Sequence, residues 1–169
     1  MNSAAGREEE YRLRPAEESK KVFIIGGGPA GMEAARIASL RGHQVMLYEK
    51  EKQFGGQLNL ASIPPYKEPI GEFRGYLSRQ LSKSGANVIL MKEATTDLIL
   101  KERPDVVILA TGAKPSTTEI KGIENENVAL AEEILTRKRQ VKARAAVIGG
   151  ELVACEVAEF LADQGKEVT

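Results

Sequence analysis

The chain reads as short apolar runs separated by stretches with helical spacing. Val22-Phe23-Ile24-Ile25 is continuously apolar and ends in glycines, the pattern of a parallel strand buried on both faces. From Pro29 to Arg41 the apolar residues recur with a helical period, with Pro in the first turn and Gly42 just past the end. Gln44–Tyr48 predicts a second strand, and 51–67 a loop punctuated by Gly and Pro. Ile70–Ser84 predicts a helix closed by Gly85, Asn87–Met91 a strand, and Asp105–Leu109 a strand running into Ala110-Thr111-Gly112. After a connector at 113–127, Ala131–Lys138 predicts a helix, Ala145–Ile148 a strand, Leu152–Gln164 a helix, and Glu167 onward the start of a strand. Strands alternating with helices predict an α/β fold on a parallel sheet flanked by helices.

The pattern repeats. Shifting the chain by 123 residues lays Ile25-Gly26-Gly27 on Ile148-Gly149-Gly150, Glu33 on Glu156, Ala35 on Ala158, Gly42 on Gly165 and Val45 on Val168. Two strand–turn–helix–strand units so far apart point to a design with two dinucleotide sites. The second copy differs where it matters. Glu151 falls on Gly28, and Ala154 falls on Gly31. A carboxylate in the place of the middle glycine is sterically and electrostatically unfavourable for a pyrophosphate.

Gly26-Gly27-Gly28-Pro29-Ala30-Gly31 follows a strand and opens a helix, which makes it more than a loose G-x-G-x-x-G. Gly26 permits the tight turn, Gly28 lets backbone approach a pyrophosphate, and Gly31 lets helix and sheet pack closely. The helix start adds free N–H groups and a positive dipole end. Glu49 ends the second strand, 18 residues past Gly31, where a carboxylate accepts hydrogen bonds from both ribose hydroxyls and repels a 2′-phosphate. Lys50 beside it lies near the adenosine or is simply solvated. Gly55-Gly56-Gln57 brings backbone N–H groups to the far side of the pyrophosphate or is a surface turn. Ala110-Thr111-Gly112 ends a strand on the carboxyl edge where ligands of open α/β sheets sit, or is a plain strand terminus.

Composition narrows the partners. Of the 169 residues, 24 are Lys or Arg and 24 are Asp or Glu, a balance that gives no case for nucleic acid. No apolar run is long enough to span a bilayer, so no membrane partner is expected. The single cysteine, Cys155, excludes a disulfide, a CxxC pair or a cysteine-ligated cluster within these residues and fits a cytoplasmic protein. It reads as a packing residue, His43 as a surface histidine, and Arg137-Lys138-Arg139 as a solvated helix end. No metal site and no catalytic acid–base residue stand out.

VFIIGGGPAGMEAARIASLRGHQVMLYEK, FGGQL, DVVILATGAKP and AAVIGGELVACEVAEFLADQGKEVT together resemble one portion of the NADH:flavin oxidoreductases of the 2,4-dienoyl-CoA reductase and trimethylamine dehydrogenase type. That portion is their C-terminal part, similar to pyridine nucleotide–disulfide oxidoreductases. Even Asn2-Ser3-Ala4-Ala5-Gly6-Arg7-Glu8 resembles the segment after that family's last cluster cysteine. The resemblance implies a truncated Rossmann-like FAD/NAD(P)-binding fold. Residues 1–20, polar and charged, read as an N-terminal arm or linker, and the rest divides into an FAD-binding domain at 21–113, a connector at 114–140 and an incomplete NAD(P)-binding domain at 141–169. The resemblance places Gly26, Gly28, Pro29, Ala30 and Gly31 at the FAD pyrophosphate and Glu49, with Lys50 beside it, at the adenosine ribose. Gly56, Gln57 and Leu58 lie toward the flavin, and Ala110, Thr111 and Gly112 close over the dinucleotide. The implied parent passes electrons from NAD(P)H through FAD to an FMN and iron–sulfur barrel domain that these residues do not include. The alternative is a non-redox module that holds ADP or another adenine nucleotide. The strand at 145–149, without the rest of its own domain, is expected to join the first sheet or another chain.

Overall fold

The computed structural model describes residues 5–116 and 119–169. The likeness at Asn2-Ser3-Ala4 lies outside them. The chain forms two compact units, Met1–Gly56 with Arg74–Gly112, and Gln57–Phe73 with Ala113–Thr169.

The first unit is built on four parallel strands: β1 (Lys21–Ile25), β2 (Gln44–Tyr48), β3 (Asn87–Ile89) and β4 (Val106–Leu109). Their order across the sheet is β3-β2-β1-β4. The chain therefore steps outward from β1 to β2 and β3, then returns to lay β4 on the other side of β1. Strand order reverses at β1, and the carboxyl ends of β1 and β4 frame the crevice where such sheets bind ligands. Phe23 and Ile24 of β1 and Leu47 of β2 are fully buried, with Met32 and Ala35 of helix α1 (Pro29–Leu40) beneath them in the core. Helix α3 (Glu68–Lys83) contributes Leu77 and Leu81, one turn apart on its buried face.

The ends of α1 follow from its sequence. Pro29 occupies the first turn, where its missing N–H costs nothing. At the other end the Gly42 N–H donates to the Ser39 carbonyl and the His43 N–H to the Ala38 carbonyl, with Gly42 at a φ of 94°. This is the paired closure that glycine supplies after a helix. The arm is tied to the same turn. The Ala16 N–H donates to the Arg41 carbonyl, the Ser19 hydroxyl to the Gly42 carbonyl, and the Lys20 N–H to His43 Nδ1. His43 thus acts as a local acceptor.

Two helices of the structure have no counterpart in the pattern. One is α2 (Gln57–Ala61), inside the stretch expected to be loop. The other is α4 (Thr96–Glu102), which starts where the Thr95 side chain accepts from the Leu98 N–H. Thr95→Ala is expected to cost about 1 kcal/mol, read as a lower denaturant midpoint with unchanged slope.

The second unit holds α2, α5 (Ala131–Leu135), β5 (Arg144–Ala145), α6 (Leu152–Ala162) and β6 (Glu167–Val168). Its core is Ile134, Leu135, Val157 and Leu161, with Ile63, Val141, Val147 and Phe160 packed around it. The expectation that the strand near 145 joins the first sheet or another chain is corrected here. It pairs in parallel with β6 of its own unit, Arg144 opposite Glu167 and Ala145 opposite Val168. The hydrogen-bond ladder continues with the Thr169 N–H donating to the Ala145 carbonyl and the Val147 N–H to the Thr169 carbonyl. Cys155 is also corrected, being exposed rather than packed. Val157 and Leu161 define the buried face of α6, and two residues along a helix is close to the opposite side. The basic run is exposed as expected, but the Arg139 guanidinium also donates to the carbonyls of Glu126 and Val128.

Candidate functional site

The turn between β1 and α1 is closed by backbone contacts that leave no room for side chains. Gly26 takes a φ of 107°, and a Cβ on it would lie 2.4 Å from the Ala110 carbonyl oxygen. A Cβ on Gly31 would lie 1.8 Å from the Gly26 carbonyl oxygen. Gly26 donates to the Tyr48 carbonyl at 2.8 Å, and Ala110 donates to the Ile25 carbonyl at 2.8 Å. The ends of β1, β2 and β4 are therefore stitched together at the switch point of the sheet.

Gly28 stands apart from this crowding. It is the N-cap of α1, in extended backbone at φ −71°, and a Cβ on it would meet nothing within 4 Å. No side-chain hydrogen bond caps the helix at Gly28. This is the arrangement that accepts a diphosphate: donors and a positive dipole end with no Cβ in front.

Glu49 is the buried charged residue of the unit, 7% exposed. Its Oε2 accepts from the Gly27 N–H at 2.5 Å and its Oε1 from the Glu51 N–H at 2.8 Å. Each oxygen retains a second lone pair for another donor. The carboxylate thus clamps the glycine turn to the end of β2. Glu49→Ala leaves the Gly27 N–H unpaired in the interior, and the expected loss is about 2 kcal/mol of unfolding free energy in a denaturant titration. Burial pushes the neighbouring Tyr48 phenol above its ordinary value. The Glu102 carboxylate adds to the shift and Lys21 opposes it, so Tyr48 stays neutral at physiological pH.

Gly27 is not one of the three spaced glycines of the motif, yet it is buried and tightly held. A Cβ there would lie 2.7 Å from the Phe54 ring and 2.9 Å from Glu49 Oε2. Gly55 donates to the Gly27 carbonyl, and a Cβ on Gly56 would lie 3.2 Å from Gly28 Cα. The FGG segment therefore packs on the glycine turn through Phe54 and both its glycines. Pro29 and Ala30 form the first turn of α1, and Lys50 is exposed beside Glu49. Thr111 and Gly112 follow Ala110 and are exposed. Gln57 and Leu58 open α2 in the second unit, where the Gln57 amide donates to the Ala113 carbonyl at 3.2 Å.

Known proteins carry the same design. The model of the family described as "Pyridine nucleotide-disulphide oxidoreductase" matches residues 20–169. The chain is 43% identical over 169 residues to the bilirubin reductase of Mediterraneibacter gnavus (strain CC55_001C), matching 100% of the chain and 26% of that protein. It is 47% identical over 174 residues to the NADH oxidase of Thermoanaerobacter brockii, matching 100% of the chain and 27% of that protein. A solved 2-naphthoyl-CoA reductase complex superposes with a TM-score of 0.93 at 40% identity, over 99% of the chain and 26% of that structure. The chain spans about a quarter of the length of these relatives. These matches support FAD and NAD(P)H as the cofactors. Among the described residues, no helix is long and apolar enough to cross a membrane. Its glycine turn, sheet order and match over residues 20–169 make the chain a member of the pyridine nucleotide-disulphide oxidoreductase family.

Proposed function

We propose that the chain is the FAD-binding module of an NAD(P)H-dependent flavin oxidoreductase. The observation that carries this reading is the open space in front of Gly28, with buried Glu49 clamped to the same turn through Gly27. Gly26 and Gly31 hold the turn closed. The N–H groups at Gly28, Ala30 and Gly31 receive the diphosphate, and the free edge of Glu49 receives the ribose hydroxyls. Lys50 lies beside the adenosine, and Ala110, Thr111 and Gly112 border the nucleotide from the end of β4. The assignment of Gly56, Gln57 and Leu58 to the flavin end rests on the sequence likeness alone. Bound FAD supplies the hydride and electron chemistry, and the protein supplies binding and orientation.

By the same likeness, 21–113 is the FAD domain, 114–140 a connector and 141–169 the start of an NAD(P) domain. The parent enzyme passes electrons from NAD(P)H through FAD to an FMN and iron–sulfur partner domain. The single cysteine supports a cytoplasmic setting.

The chain incubated with FAD and freed of excess by gel filtration is expected to carry a flavin absorption band at one FAD per chain. A colourless protein that still binds ADP tightly would assign it instead to a non-redox adenine-nucleotide module. A separate comparison tests the ribose contact. An adenosine ligand with a 2′-phosphate is expected to bind at least tenfold more weakly than its 2′-hydroxyl counterpart, because Glu49 meets it with like charge. Equal affinity would remove Glu49 from the ribose.

A further inference from the structure

The two copies of the strand–turn–helix unit share a backbone course but not a cradle. Gly28 and Glu151 are the N-caps of α1 and α6, at φ −71° and −99° with ψ −179° in both. Gly26 and Gly149 both take positive φ, 107° and 145°. The turn that would present N–H groups to a diphosphate is thus built twice.

Two differences change what the second turn can hold. The first is charge. Glu151 is exposed, and its carboxylate does not fold back to cap α6. It occupies the one position that is open and side-chain-free in the first copy. The second difference is the fit of turn to helix. In the first copy a Cβ at Gly31 would come within 1.8 Å of the Gly26 carbonyl oxygen, so that turn closes only on glycine. Ala154 stands at the matching place in the second copy, its Cβ 3.0 Å from where a Cβ on Gly149 would lie. A turn that admits this methyl is not closed as the first one is.

We propose that Glu151 makes the second glycine turn reject diphosphates, so that residue 151 sets how weakly this chain binds a nicotinamide dinucleotide there. The diphosphate brings about two negative charges to a helix end that offers roughly half a positive charge. A fixed carboxylate at the N-cap more than cancels that attraction. Like charges a few ångströms apart near a protein surface lower affinity by roughly ten- to a hundredfold. This inference concerns the second turn only and stands apart from the assignment of FAD to the first.

The test is a titration of the uniformly 15N-labelled chain with NADH, read at the backbone amides of Gly150, Leu152 and Val153. In the wild-type chain these amides are expected to drift without saturating at millimolar NADH. Glu151→Gly is expected to saturate with at least tenfold higher affinity, and Glu151→Gln to recover most of that gain. The position is exposed and its φ is ordinary for any residue, so amide shifts elsewhere are expected to stay in place. Wild-type and Glu151→Gly chains with equal NADH affinity at these amides, whether measurable or absent in both, would overturn the proposal. A gain with Gly but none with Gln would overturn it too, since bulk rather than charge would then be the cause. The amides of Gly28, Ala30 and Gly31 report the first turn in the same spectra, so NADH at that turn is told apart from NADH at the second, and the FAD assignment is tested by its own titration.

Discussion

Gly31→Ala is expected to cost the first unit about 3 kcal/mol and most of its nucleotide affinity together. The new methyl would need the space of the Gly26 carbonyl oxygen, 1.8 Å away, and would also press on the Ala110 Cβ at 3.4 Å. The oxygen is backbone, so no side-chain rotation relieves the clash. Relief requires moving the start of α1 away from the ends of β1 and β4. Overpacking of a closed site costs 1–3 kcal/mol or somewhat more, and an entirely backbone clash belongs at the upper end. The midpoint of thermal unfolding is expected to fall by roughly 10 °C. The helix N-terminus moves with it, so a calorimetric titration is expected to show at least a tenfold loss of ADP affinity. Unchanged thermal stability would mean that the turn is looser than its geometry indicates.

Gly28→Glu is expected to do the reverse, removing binding while leaving stability alone. A Cβ at Gly28 meets nothing within 4 Å, and its backbone is extended, which any residue adopts. The added carboxylate stands before the helix N-terminus and recreates in the first turn the charge that Glu151 brings to the second. FAD and ADP affinities are expected to fall by roughly a hundredfold, from like-charge repulsion together with occupied space. The unfolding free energy is expected to stay within about 0.5 kcal/mol of wild type, because the added side chain extends into open space. Together the two variants separate the glycine that closes the turn from the glycine that leaves it open.

Much of this geometry was legible in the residues, for identifiable reasons. Gln44–Tyr48 was read at its observed bounds, because a buried parallel strand between a helix-ending glycine and a charged pair leaves little freedom. β1 and α1 each differ from expectation by one residue at one end. The helices without a counterpart in the sequence pattern, α2 and α4, bury none of their residues. A short helix without an apolar face leaves no periodic mark in the sequence. β5 begins at Arg144, one residue before the expected Ala145, because pairing with Glu167 and not apolar character sets its start.

At the site, local spacing revealed the glycines and the acid but not the contacts that join them. That Gly27 must be glycine depends on Phe54 and Glu49, more than 20 residues further along the chain. That Glu49 clamps the turn depends on its burial and on two backbone donors. A carboxylate at the end of the second strand reads as a ribose acceptor; that it also holds the loop in shape appears only in three dimensions.

The most direct test of the FAD site is a titration of the 15N-labelled chain with FAD, followed at the amides of Gly28, Ala30 and Gly31. Saturable shifts of all three at one FAD per chain, abolished in Gly28→Glu, are the expected result. Shifts confined to other residues, or FAD binding that survives Gly28→Glu at wild-type affinity, would contradict the assignment of the first glycine turn as the FAD site.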